Sequence, residues 1–166
     1  MKSIHFIYLC FLVFLLNHTS IYAQGKKTIR KFNIRVEIET VKKENSSYKS
    51  EQRLYDANGN ELEFIKFNKD GSIKKKVISK YDKNNNLIEE LEYEGNQLVR
   101  KKNYTYNKYD EKISEITYDA NNQILRKEIF TYNDKGLKTE KKVYDKDDNL
   151  IQVHIYNYYT KSTNEK

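Results

Sequence analysis

Between Leu54 and Tyr158 the chain repeats one phrase: an aromatic residue, a short polar run, then an aliphatic residue that opens a new stretch of alternating side chains. The aromatics are Tyr55, Phe67, Tyr81, Tyr93, Tyr106, Tyr118, Tyr132, Tyr144 and Tyr156. Their spacings are 12, 14, 12, 13, 12, 14, 12 and 12 residues, so alternate members stand two strands and two turns apart. A fixed period of this kind dictates architecture. Four residues after an aromatic come Gly59, Gly71, Asn85, Asp110, Asn122, Gly136 and Asp148; the unit at Tyr93 is shorter and places Gly95 earlier. Gly, Asn and Asp are the residues that tolerate the positive φ of a reversing turn. Leu62, Ile73, Leu87, Leu98, Ile113, Ile124, Leu137 and Leu150 then resume the chain. The pattern predicts β-hairpins in series, with loops of about four to six residues. The fold class expected is all-β: a repetitive antiparallel β-meander, forming an extended, twisted or curled single sheet of about ten strands.

Ahead of the repeat, Phe32 to Val41 alternates, with Ile34, Val36, Ile38 and Thr40 on one side and Arg35, Glu37 and Glu39 on the other. Period two predicts a half-buried strand. Lys42 to Ser47 reads as a turn and Tyr48 to Tyr55 as the returning strand. Within the repeat, Ile151, Val153 and Ile155 share a face, and so do Leu125, Ile129 and Thr131. Leu98, Tyr104 and Tyr106 share one with Arg100 and Lys102 between them. Long basic side chains can lay their stems along a sheet while the charge reaches water. The expectation is a thin sheet, covered on at least one face by its own side chains. No stretch keeps a 3.6-residue period beyond two turns, so no helix is predicted.

Residues 1–23 read as a secretory signal peptide: Lys2 supplies the positive end, Ile4 to Leu16 the apolar run, and Ala23 a small residue before a cut at Gln24. The apolar run is short for a bilayer span, so no stable membrane insertion is expected after cleavage. Cys10, flanked by Leu9 and Phe11, lacks the small preceding residue of a lipidation site. Residues 24–31 then form a flexible lead-in, 32–159 the β-repeat domain and 160–166 a tail. Export to the periplasm or the extracellular space follows from this reading. Cleavage removes the only Cys and one of the 31 basic residues, leaving a net charge of +6 and excluding thiol chemistry. A disulfide-free exported domain depends on packing and strand pairing. The isoelectric point near 9.2 is compatible with an anionic partner and equally with solubility alone. Low mean hydropathy would fit disorder, but 13% aromatic content with a strict period argues against it.

Tyr55 to Leu62 (YDANGNEL), Tyr118 to Ile124 (YDANNQI) and Tyr144 to Leu150 (YDKDDNL) resemble the YD repeats of Rhs-type proteins and of short secreted bacterial repeat proteins. The resemblance spans about two thirds of the chain and rests on a simple grammar of Tyr, turn and aliphatic. Large members of that family wind such strands into a shell around a toxin. The chain is short and carries no toxin domain after residue 158, so only the local strand geometry is expected to transfer. A second similarity, to MORN-like repeats of antitoxin-type proteins, is weakened by the scarcity of Gly, with 5 in the whole chain.

Three kinds of chemistry can be weighed on this frame. Asp56/Asn58/Asn60, Asp82/Asn84/Asn86 and Asp145/Asp147/Asn149 have the alternate spacing of a calcium loop, but the twelfth position holds Phe67, Tyr93 and Tyr156 where a carboxylate is needed. Asx side chains that bond their own turn explain the composition without a metal. After residue 23 the chain has one His, His154, and no Cys, which excludes Cys/His pairs and multi-His metal sites. Adjacent carboxylates such as Glu89 and Glu90 face opposite ways on a strand. No catalytic residue and no cofactor is therefore expected, and the protein is read as a non-enzyme. The tyrosines, 15 in all, could stack on sugar rings or simply pack over turns. Tyr81, Tyr93, Tyr106, Tyr118, Tyr132, Tyr144 and Tyr156 are the candidate binding surface. The expected function is an exported repeat protein that presents a β-surface to an envelope or extracellular partner, protein or glycan, with no nucleic acid. The alternative is an antitoxin- or immunity-like module that caps a toxin.

Overall fold

The structure, a computed structural model, describes residues 18–160. Ten strands follow one another in a single antiparallel sheet whose spatial order is the chain order. They are β1 (Val36–Lys43), β2 (Ser46–Tyr55), β3 (Glu61–Phe67), β4 (Ile73–Tyr81), β5 (Leu87–Glu94), β6 (Gln97–Tyr106), β7 (Lys112–Tyr118), β8 (Ile124–Tyr132), β9 (Lys138–Tyr144) and β10 (Leu150–Ile155). The all-β meander predicted from the repeat is thus the observed fold, and β1 and β10 are its two edges.

Seven of the corners are one device. In each, the residue after the aromatic donates its N–H across the loop and accepts the N–H of the residue three further on, as in Asp82 N to Asn86 O (2.9 Å) and Asn85 N to Asp82 O (3.1 Å). This is a type I turn closed by a residue with positive φ. That residue is Gly59, Gly71, Asn85, Asp110, Asn122, Gly136 or Asp148, with φ between 60° and 85°. The extra residue shifts the register beside the aromatic each time, as between Lys80 and Tyr81. The remaining two corners are two-residue loops, Glu44–Asn45 and Gly95–Asn96. A shift also falls between Glu92 and Tyr93, setting Leu98 opposite Tyr93. This moves Leu98 away from the face of Tyr104 and Tyr106, with which unbroken alternation had grouped it.

Register divides the side chains into two unlike faces. One carries the row Glu37, Arg53, Phe64, Val77, Glu92, Arg100 and the row Ser79, Glu90, Lys102, Thr117, Arg126. It is called the charged face below. The other carries Leu54, Ile65, Ile78, Leu91, Ile116 and Ile129 between lysines, and is called the aliphatic face. The most buried strand residues lie on the charged face: Val143, with 0% exposure, Phe130, Tyr104 and Ser79. Phe130 and Tyr104 are covered by other side chains of the sheet. Lys112 and Lys138 place Nζ at 4.8 and 4.7 Å from the Phe130 ring centre, and Lys112 also lies 5.2 Å from Tyr104. The thin, self-covered sheet is therefore a sheet roofed by cation–π contacts and ion pairs.

The lead-in differs from expectation. Residues 24–31, read as flexible, belong to helix α1 (His18–Lys31), so the prediction of no helix fails at this end. Asn33, at φ 52°, ends α1: its N–H reaches Arg30 O at 3.2 Å and the Ile34 N–H reaches Ile29 O at 2.9 Å, a Schellman cap. The cap uses Asn33 and Ile34, and β1 starts at Val36 where alternation had placed a strand start at Phe32. Among the described side chains of the helix Ile29 is the buried apolar one, and Lys26 O runs so close to Gly59 that a Cβ there would stand 2.7 Å away. Of the predicted signal peptide, residues 1–17 lie outside the described residues, as do 161–166 of the tail.

Candidate interaction surface

Each end of the sheet uses its aromatics differently. At one end Tyr81, Tyr106 and Tyr132 close β4, β6 and β8, and each hydroxyl donates to the carbonyl that opens the preceding strand: Glu61 O (3.1 Å), Leu87 O (2.9 Å) and Lys112 O (2.9 Å). Tyr158 repeats the reach to Lys138 O at 2.7 Å. Burial pushes the Tyr81, Tyr106 and Tyr132 phenols above their ordinary value. These rings tie alternate corners together. At the other end Tyr93, Tyr118 and Tyr144 lie on the aliphatic face opposite Lys76, Lys101 and Lys127, whose Nζ atoms stand 4.6 to 4.8 Å from the ring centres. Tyr156 carries Lys138 at 5.6 Å. The seven candidate tyrosines are thus not one platform; they fall into separate sets at opposite ends and on opposite faces.

What the tyrosine period did not reveal is the ion-pair lattice of the charged face. Four glutamates each hold two cations. Glu51 holds Arg53 (2.9 Å) and Lys66 (3.5 Å), and Glu92 holds Lys75 (2.5 Å) and Arg100 (3.1 Å). Glu115 holds Lys102 (3.3 Å) and Lys112 (2.7 Å), and Glu128 holds Arg126 (2.8 Å) and Lys141 (3.6 Å). The hydrogen bond from Lys75 keeps the Glu92 carboxyl below its usual range. Glu115 is also lowered: burial, the largest influence, raises it, but the hydrogen bonds and charges of Lys112 and Lys102 together prevail. Alternating signs on one face of paired strands are the signal that could have found this lattice, since cross-strand partners share a face. Finding it needed the register.

The balance of charge changes along this face. Beside α1 a cleft of about 620 Å³ is lined by Glu37, Glu39, Glu51, Glu61 and Glu90, with Arg53, Lys26, Ile29, Tyr55 and Tyr81 among them. Burial raises the Glu61 carboxyl, with Glu37 and Glu51 adding repulsion against the attraction of Arg53. Tyr55 donates to Glu37 at 2.8 Å, and Tyr104 donates to Glu90. Across β6 to β9 the face turns basic, with Arg100, Lys102, Lys112, Arg126, Lys138 and Lys141 against Glu115 and Glu128.

The three calcium-like loops are self-bonded. Asp82 Oδ1 accepts the N–H of Asn84 (2.8 Å) and of Asn86 (2.9 Å), while Oδ2 accepts Asn86 Nδ2 (3.2 Å). Asp56 and Asp145 repeat the arrangement with Asn60 and Asn149. These oxygens serve the turn itself. His154 stands on β10 opposite Lys141.

No family model matches the chain, and no curated protein matches it. Among solved structures the chain is similar to the crystal structure of TarM, at 18% identity and a TM-score of 0.32, covering 81% of this chain and 24% of that one. It is also similar to a mutant of S. aureus TarM in complex with fondaparinux, alpha-GlcNAc-glycerol and UDP, at 17% identity, a TM-score of 0.31 and the same coverage. A third is a GtfA/B complex bound to UDP and GlcNAc, at 14% identity and a TM-score of 0.28, covering 71% of this chain and 24% of that one. The chain spans about a quarter of the length of each, and likenesses at these scores carry no argument about function.

Proposed function

We propose that this is an exported, non-enzymatic repeat protein that presents its open sheet to an envelope or extracellular partner, protein or glycan. The observation that supports the reading is the charged face from β5 to β9, which no other element covers among the described residues. There, ion-paired lysines, arginines and glutamates stand in rows at strand spacing. A surface of this kind recognises a partner by matching charge along a line. YD-like hairpin units supply the repetition, and the predicted signal peptide supplies the route out of the cytoplasm.

The test is capture from the envelope fraction of the protein's own host, together with a glycan array, comparing wild type with Arg126→Glu/Lys141→Glu. Both side chains belong to the basic half of the charged face. The reading expects a partner or polysaccharide held by wild type and released by charge reversal, with the sheet intact by circular dichroism. Failure of wild type to hold any envelope component, or capture indifferent to the reversal, would overturn it.

A further inference from the structure

The two edges of the sheet are unlike. β1 carries Glu37, Glu39, Lys42 and Lys43, charges of the kind that discourage an edge from recruiting another strand. β10 has none. Leu150–Ile155 contains no Lys, Arg, Asp, Glu or Pro, and among the described residues only β9 pairs with it. Ile151, Val153 and Ile155 are 59%, 43% and 62% exposed, and they alternate with Gln152 and His154. An uncharged, β-branched edge left open is a template for one more strand.

The order of residues says which strand. Ile151-Gln152-Val153-His154-Ile155 reads the same in kind from either end: aliphatic, polar, aliphatic, polar, aliphatic. A twofold axis normal to a sheet pairs a strand antiparallel with its own copy and keeps each residue on its own face. Centred on Val153, it sets Val153 against Val153, Ile151 against Ile155 and Gln152 against His154. The aliphatic face then gains a continuous cluster of β-branched side chains, and the charged face gains two Gln–His pairs with no like charge opposed. The same operation on β1, centred on Ile38, would oppose Glu37 to Glu39 and repel.

We propose that β10 pairs with β10 of a second copy of this chain about a twofold axis through Val153, joining two ten-stranded sheets into one. The inference is independent of what the charged face binds. The register shift between Leu150 and Gln152 confines the new ladder to a few residues. A contact this small is below the range of stable interfaces, so the dimer is reversible and concentration-dependent. It is isologous and closes on itself, leaving the two charged β1 edges outermost.

The experiment introduces single cysteines into protein carrying Cys10→Ser, so that each new thiol stands alone. Cross-strand Cα distances of about 4.5 to 5.5 Å suit a disulfide. The expected result under mild oxidation is a covalent dimer for Val153→Cys and none for Ile151→Cys or Ile155→Cys alone. Mixing the last two proteins should restore it. Sedimentation of the unmodified protein should show a monomer–dimer equilibrium that Val153→Lys, or independently Ile155→Lys, shifts to monomer without loss of strand signal. A protein that stays monomeric at every concentration, equal crosslinking at all three positions, or a ladder beyond dimer would overturn the proposal.

Discussion

In seven of the corners the residue that turns the chain sits in a left-handed conformation, and which residue it is decides how costly a change will be. Gly71 has φ 85° with nothing within 4 Å of a would-be Cβ, so backbone strain alone is tested there. Gly71→Ala should lower stability by about 1 kcal/mol. Gly71→Asn should cost far less, because Asn85 and Asn122 hold the same place at φ 66° and 61°. Gly59→Ala should exceed both, since its Cβ would meet the backbone oxygen of Lys26. Chemical denaturation of the three variants checks the order. A second rule governs the first and fifth residues of the loop. Asp56, Asp82 and Asp145 face Asn60, Asn86 and Asn149, whose amide groups donate to the carboxylates. Asn68 and Asn107 face Ser72 and Glu111, which accept from the amide. Donor and acceptor have exchanged places. Asp82→Asn alone should therefore lower the melting temperature, by setting two amide donors face to face. Asp82→Asn/Asn86→Glu, which copies the Asn107–Glu111 corner, should recover the loss in a double-mutant cycle.

Among the elements, α1 is the one whose stability is separable from the rest. It meets the sheet through Ile29 and through the approach of Lys26 to Gly59, whereas each strand interior to the sheet is laddered on two sides. Ile29→Ala should weaken this docking by about 2 kcal/mol. Hydrogen exchange should then speed up by roughly thirtyfold at the 25–31 amides, with β4 to β9 unchanged. An equal acceleration throughout the sheet would show that the helix is part of one cooperative unit. The same helix marks where the sequence stops being legible. Hairpins declare themselves through turn chemistry that is local and repeated, and all seven positive-φ positions of the type I corners can be read directly. The helix is polar apart from Ile29 over its described side chains, and its first residues, with Ile21 and Tyr22, fall in the stretch read as a signal peptide. Its evidence is a cap at Asn33 and the approach of Lys26 to Gly59. The face a side chain occupies was legible only between bulges, as Leu98 demonstrates.

For the molecule as a whole, the thin core makes carboxylate ionisation an unusually direct part of stability. Backbone and side-chain hydrogen bonds from Asn86 and Asn149 hold Asp82 and Asp145 below the ordinary 3.8, and Lys75 holds Glu92 below 4.5. A carboxyl depressed in the folded state contributes stability that is fully present above its unfolded value and drains away as pH falls through its folded one. Glu61 has the opposite sign. Burial raises it above 4.5, so its ionised form weakens the fold at neutral pH, and the penalty fades as acid protonates it. Two titrations therefore run against each other beside one sheet. Denaturation midpoints measured against pH should fall below about pH 4 as the depressed groups protonate. Glu61→Gln should raise the midpoint at pH 7, and that advantage should shrink on the way down to pH 4, where the parent carboxyl is itself neutral. A Glu61→Gln advantage that stays constant with pH would mean that the substitution acts through packing against α1 and not through charge.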